Sequence, residues 1–136
     1  MHRKPCLNLP LALLFLAGGL LAAEGCGKAK AQRHHLSGRV TFQGKPVPMG
    51  QIVFEPDIRQ GNRGPQGYAE ILDGQYQTDQ HGKGVMMGAL TVEISGFPPA
   101  DGSAGNPDTP LFTPYKTTAQ VSKETTTLDF EVPSKR

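Results

Sequence analysis

The chain contains no tryptophan, three tyrosines and six phenylalanines, so it has little material for a large aromatic platform. It has no run of like charges. Its 14 lysines and arginines are nearly balanced by 12 aspartates and glutamates. That balance argues against a nucleic-acid partner, because nucleic-acid binders concentrate positive charge on one face. Only two cysteines are present, Cys6 and Cys26. With 136 residues there is room for one domain and not two. What the chain has in quantity is turn formers: 17 glycines and 12 prolines, scattered without a period. Scattered Gly and Pro between short apolar stretches predict a turn-rich β domain.

The one long apolar run lies at the N-terminus. His2, Arg3 and Lys4 precede an almost unbroken stretch from Leu9 to Ala23, and small residues follow up to Gly25. This is the layout of a secretory signal peptide, assigned to residues 1–25. A spanning helix needs about 20 apolar residues. This run is shorter and carries Pro10, Gly18 and Gly19, which weaken a permanent helix. Cys6 leaves with the signal, so Cys26 is the one cysteine of the mature chain and no internal disulfide can form. The ending Ala23-Glu24-Gly25-Cys26 resembles the lipobox of bacterial lipoproteins, in which the cysteine receives diacylglycerol and becomes the new N-terminus. Gly25 and Cys26 fit that pattern. Ala23 and Glu24 stand where it prefers leucine and a small residue. Cys26 is therefore expected to be lipidated, which would hold the exported protein in the cell envelope, on a membrane. Ordinary cleavage after a small-x-small site, giving a secreted or periplasmic protein, is the alternative. Residues 26–35 are polar, small and basic, and read as a flexible tether whose cations can rest against anionic headgroups. His34 and His35 are neighbours with no third ligand nearby in sequence, and no metal site is expected there.

From Leu36 the dominant period is two. Leu36, Gly38, Val40 and Phe42 alternate with Ser37, Arg39, Thr41 and Gln43, which predicts a half-buried strand. Gly44-Lys45-Pro46 is expected to turn the chain. Further strands are expected at residues 51–55, 66–71, from Gln75, at 89–95, at 116–121 and at 126–132. Asp73-Gly74 is a hairpin signal. Gly96 to about Pro114 reads as a long loop. These seven short strands predict an all-β sandwich of two antiparallel sheets over residues 36–133, with 134–136 as a tail. The expected core is Val40, Phe42, Ile52, Phe54, Tyr76, Leu90, Val92, Ile94, Leu128 and Phe130. Arg39, Thr91 and Asp129 are expected to be exposed, and Glu55, Asp57 and Arg59 to form an exposed loop edge.

Five segments in order resemble the carboxypeptidase regulatory-like, transthyretin-like domains. Residues 37–47, SGRVTFQGKPV, resemble the opening strand and turn of that family. Residues 50–56, GQIVFEP, resemble its second strand, and Asp73-Gly74-Gln75-Tyr76 its D-G-x-Y turn. Residues 88–94, GALTVEI, resemble its G-x-Y-x-V-x-I strand with Leu90 in the aromatic place, and residues 127–133 fit its ending. The resemblance covers about Leu36 to Pro133. It implies a seven-stranded Greek-key sandwich in the extracytoplasmic space, of the kind carried by small lipoproteins of planctomycete-type bacteria. It implies no chemistry, because these domains mostly serve as accessory or interaction modules.

Sites for chemistry are weak throughout. Asp79 and His81 sit in a turn, and no Gly-x-Ser-x-Gly elbow is present. The Tyr-Arg-Gly-Ser signature of the hydroxyisourate hydrolases, which share the transthyretin fold, is missing. An isopeptide cross-link has only Lys45 and Asp129 to draw on. Asp101, Asn106 and Asp108 share one loop, but their spacing matches no calcium loop. The expectation is a non-catalytic binding or structural module with no cofactor and no metal. Its expected contacts are a membrane through its lipid anchor and a protein or glycan partner. A small secreted hydrolase with an unrecognised loop site is the alternative.

Overall fold

The computed structural model describes residues 31–134. Cys26, the export segment and the start of the tether lie outside the described residues. Among the described residues nine strands follow one another: β1 (Ser37–Phe42), β2 (Lys45–Pro46), β3 (Met49–Pro56), β4 (Gly67–Leu72), β5 (Gln75–Gln77), β6 (Gly82–Lys83), β7 (Gly88–Phe97), β8 (Tyr115–Val121) and β9 (Phe130–Val132). No α-helix occurs among the described residues, and one 3-10 turn, Ile58–Gln60, follows β3. The fold is all-β. The strands form a curled sheet in the order β2-β1-β5-β4-β3-β7-β8, in which every neighbouring pair is antiparallel. β6 adds to β4, and β9 lies parallel to β1.

The curl is made by β1. Its first half, Ser37 to Arg39, pairs with β5, and its second half, Val40 to Phe42, pairs with β9. One strand thereby serves two directions of hydrogen bonding. The hairpin at Asp73-Gly74 holds both residues at positive φ, 50° and 74°, as a two-residue β turn of matching twist requires. Gln43 and Gly44 do the same at 53° and 73°. The first turn is therefore Gln43-Gly44. Lys45 and Pro46, expected in the turn, pair back on Phe42 and Thr41. Pro46 is tolerated because β2 is an outer strand. β2 and β6 are the two strands beyond the seven expected.

The final segment also departs from expectation. A strand from Thr126 was expected, but the ladder forms only over Phe130–Val132. Upstream, the Leu128 N–H donates to Ser37 O at 2.9 Å, and the Asp129 carboxylate takes the Arg39 N–H at 2.8 Å. A side chain thus occupies the place of a ladder carbonyl.

The core fills the inside of the curl. Val40, Ile52, Phe54, Tyr76, Leu90, Val92 and Ile94 are buried as the alternation predicts. Leu36, Val47, Ala69, Ile71, Val85, Val121 and Val132 join them. Phe42, Leu128 and Phe130 are only half-buried, against expectation. They lie beside β8 and β9, which do not pair with each other, so the inner face stays partly open there. Arg39 and Asp129 are exposed as expected, whereas Thr91 is half-covered.

The chain enters this structure docked. The His34 N–H and C=O both bond Val85, each at 2.8 Å, and His34 Nε2 meets Thr125 O at 2.6 Å. Arg33 Nη1 donates to Gln66 O and Gly84 O at 3.1 and 2.5 Å. Residues assigned to a tether from sequence are thus pinned to the sheet. They mark a proximal pole, shared with Gly88, Val121 and Thr125. Phe42, Phe97, Tyr115 and Val132 lie at the opposite, distal pole.

Candidate functional site

A hollow of about 470 Å³ opens at the distal pole, lined by Phe42, Gln43, the segment Leu111–Lys116, Val132 and Pro133. Its walls include two unpaired strand edges, the start of β8 and the end of β9. The floor is aromatic: the Phe42 and Phe112 rings meet at a centroid distance of 4.9 Å, tilted by 48°. Gly96 makes this packing possible, because a Cβ there would sit 2.7 Å from the Phe112 ring. The Leu111 N–H donates to Gly96 O at 2.9 Å and ties the long loop back onto β7.

The rim is polar. Lys116 reaches across to Glu93 at 2.9 Å. That carboxylate, by its hydrogen bond and then its charge, holds the ammonium above the ordinary lysine value. Both partners are substantially exposed, so the pair contributes little to stability. On the other wall Glu131 accepts from the Thr41 hydroxyl and from the Gly44 N–H. The groove therefore offers apolar surface inside, free backbone edges along its sides, and few charges. That arrangement suits binding and contains no nucleophile poised beside a base.

A second hollow of about 350 Å³ lies where β1 and β5 meet the 127–129 segment. It is shallow and polar, with Arg39, Gln75, Gln77 and Asp129 around it. Tyr76 forms its floor and donates its hydroxyl to Leu128 O at 2.8 Å.

The residues considered from sequence are not brought together. Asp79 and His81 are both exposed, and the turn is held by His81's backbone, through Gln77 O and the Glu70 N–H. Lys45 stands opposite Phe42, while Asp129 stands against Arg39 further back along β1. Asp101 and Asn106 close local turns on the Ser103 and Asp108 N–H groups. Among the described residues no group of three or more His, Cys, Asp or Glu is gathered to hold a metal ion. Asp57 corrects an expectation. It is 8 % exposed rather than part of an open edge, and its carboxylate caps the 3-10 turn through the Arg59 N–H and the Gln60 side chain. The Gln60 bond leads the interactions that hold its carboxyl below the ordinary aspartate value, against the opposing effect of desolvation.

Sequence reasoning missed the groove because Leu111, Phe112 and Tyr115 lie in or beside a stretch read as loop. The signal was present in that stretch: Leu111-Phe112-Thr113-Pro114-Tyr115 is an apolar island after a Gly, Pro and Asp run. Comparison with protein-family models, curated proteins and solved structures finds no match to this chain.

Proposed function

We propose that the protein is an exported, membrane-anchored lipoprotein whose single domain is a non-catalytic binding module. Lipidated Cys26 is the anchor, and the curled sheet is a seven-stranded Greek-key sandwich of the transthyretin-like type, elaborated by two short strands. The observation that carries this reading is the distal groove, an aromatic-floored hollow between two unpaired strand edges. It stands at the far end of the domain from the entering chain. An unpaired edge presents a row of backbone donors and acceptors, which an extended peptide satisfies by adding a strand. The partner in this reading is an extended segment of another envelope protein, with an apolar side chain seated on Phe42 and Phe112.

Selection of the mature protein against a library of extended peptides tests it. Retained peptides are expected to carry an aromatic or branched apolar residue. Their binding is expected to fall at least about tenfold in Thr113→Arg, which blocks the mouth from an exposed position, with the thermal midpoint of the domain unchanged. No retained peptide, or binding indifferent to Thr113→Arg, rejects the groove. Screens for ester, peptide and glycoside hydrolysis are expected to give no turnover. A turnover abolished by His81→Ala would establish the hydrolase reading instead.

A further inference from the structure

β8 and β9 both end the sheet, but they offer different groups to a partner. The Asp57 N–H donates to Ala89 O at 3.0 Å, on the β3 side of β7. Successive residues of a strand turn their N–H and C=O to opposite sides. Leu90, Val92 and Ile94 therefore bond β8, through Ala119, Thr117 and Tyr115. Lys116, Thr118 and Gln120 alternate with these and turn their N–H and C=O away from β7, where no strand follows among the described residues. All three are exposed. A lysine can guard an open edge, but the Lys116 side chain is drawn to Glu93 on the neighbouring strand, at 2.9 Å. β9 offers less. Val40 bonds Gly74 O and the Val47 N–H on its other side, so Thr41 faces β9 and pairs there with Phe130 and Val132. Glu131 alone of β9 turns outward, and Pro133, at the next outward place, has no N–H.

We propose that β8 is the acceptor edge for the partner of the distal groove: a proline-free extended segment that pairs antiparallel with Lys116, Thr118 and Gln120 and carries an apolar side chain at every second place. The proposal rests on the binding-module reading and adds the edge, the direction and the spacing. Antiparallel pairing continues the sheet, in which every neighbouring pair from β2 to β8 is antiparallel. It sets Gln120 against the start of the segment and Lys116 against its end. The residues opposite Lys116, Thr118 and Gln120 exchange backbone bonds with them and turn their side chains to solvent, so these are polar. The residues opposite Ala119 and Thr117 turn inward. Both of those β8 side chains are small and half-buried, which leaves room for branched apolar partners. The next inward place is opposite Tyr115, at the hollow that Tyr115 lines together with Phe42 and Phe112. That place takes the largest apolar side chain. The direction of pairing therefore puts this residue at the C-terminal end of the alternation.

The probe is a capped synthetic peptide in which threonine alternates with valine, valine and then phenylalanine. The protein is the mature chain with Cys26→Ser, which retains every core residue from Leu36 to Val132. The peptide is expected to bind, and the same composition with phenylalanine first is expected to bind at least about tenfold more weakly. N-methylation of the threonine between the two valines, opposite Thr118, removes a paired N–H and is expected to cost at least about tenfold. N-methylation of the valine after it, whose N–H points away from β8, is expected to leave affinity within about twofold. Both comparisons are made on the unaltered domain. In the protein, Thr118→Pro is expected to weaken binding at least about tenfold, while Thr118→Val keeps the N–H and the affinity. Neither variant removes a bond between β7 and β8, so the thermal midpoint is expected to be unchanged. No binding, preference for phenylalanine first, equal loss on N-methylation at both places, or full binding by Thr118→Pro overturns the proposal. Edge and groove fail separately. Full binding by Thr118→Pro, with loss in Thr113→Arg, keeps the groove and removes the edge. Loss in Thr118→Pro, with indifference to Thr113→Arg, does the reverse.

Discussion

Tyr76 joins burial, bonding and charge in one side chain. Its ring packs against Phe54 and Phe130 at 5.8 and 6.3 Å, and its hydroxyl holds the Leu128 carbonyl. Burial, and then the nearby Asp129 charge, push its phenol well above the ordinary tyrosine value. As pH rises past about 10, the unfolded chain loses a proton that the folded chain keeps. The folded state is thus fully favoured below that value and loses stability above it. The urea midpoint is expected to fall between about pH 9 and about pH 11, and to fall less in Tyr76→Phe. At neutral pH the same variant is expected to lose about 1 kcal/mol, because Leu128 O loses its donor. Equal slopes in the two proteins would reject this account. That Tyr76 is inward was legible from its alternation with Gln75 and Gln77. That its hydroxyl meets a backbone carbonyl from the far end of the chain was not, since no local pattern encodes that partner.

Among the elements, the junction of β1 with the 127–132 segment is the point where the curl is made. Gly38 sits under the Leu128 carbonyl so closely that any Cβ would collide with it. Gly38→Ala is expected to cost about 1–3 kcal/mol through overpacking. Amide exchange is expected to quicken at Leu128 and across β9, while β3, β4 and β7 keep their protection. Uniform loss of protection would mean that this segment is part of the central unit rather than a clasp upon it. The long strands were readable in advance because each alternates over many residues: β3 from Met49 to Pro56, β7 from Gly88 to Phe97. β2 and β6 have two residues each, too few to carry a period, and exist because Phe42 and Tyr68 present them with partners.

Over the whole molecule, two poles divide the work proposed here. The chain enters at one end, where Arg33 and His34 are pinned to the sheet, and the groove opens at the other. Mass spectrometry of protein from its native host is expected to find the mature N-terminus at a diacylated Cys26. Cys26→Ser is expected to release the domain from membranes without unfolding it, because the lipid is lost while every core residue from Leu36 to Val132 remains. An N-terminus elsewhere, or an unmodified thiol, rejects the anchor. A Cys26→Ser protein that stays in the membrane pellet rejects the lipid as its attachment.

The order of residues along the chain was enough for the all-β class, the positions of the long strands, the Asp73-Gly74 hairpin and most of the core. These depend on local rules: a period of two sorts side chains to two faces, and positive φ selects Gly and its neighbours at turns. It also carried the whole argument for export and for Cys26, which is a matter of composition and order along the chain. The tertiary structure alone decided that β1 divides between β5 and β9, and that β8 and β9 stay apart. The groove exists because of that separation, and the half-burial of Phe42, Leu128 and Phe130 follows from it. Arg33 and His34 were assigned to a tether for the same reason. Their partners, Gly84, Val85 and Thr125, are distant in sequence, and a contact between distant segments is set by how the sheet closes, which no window of neighbouring residues contains.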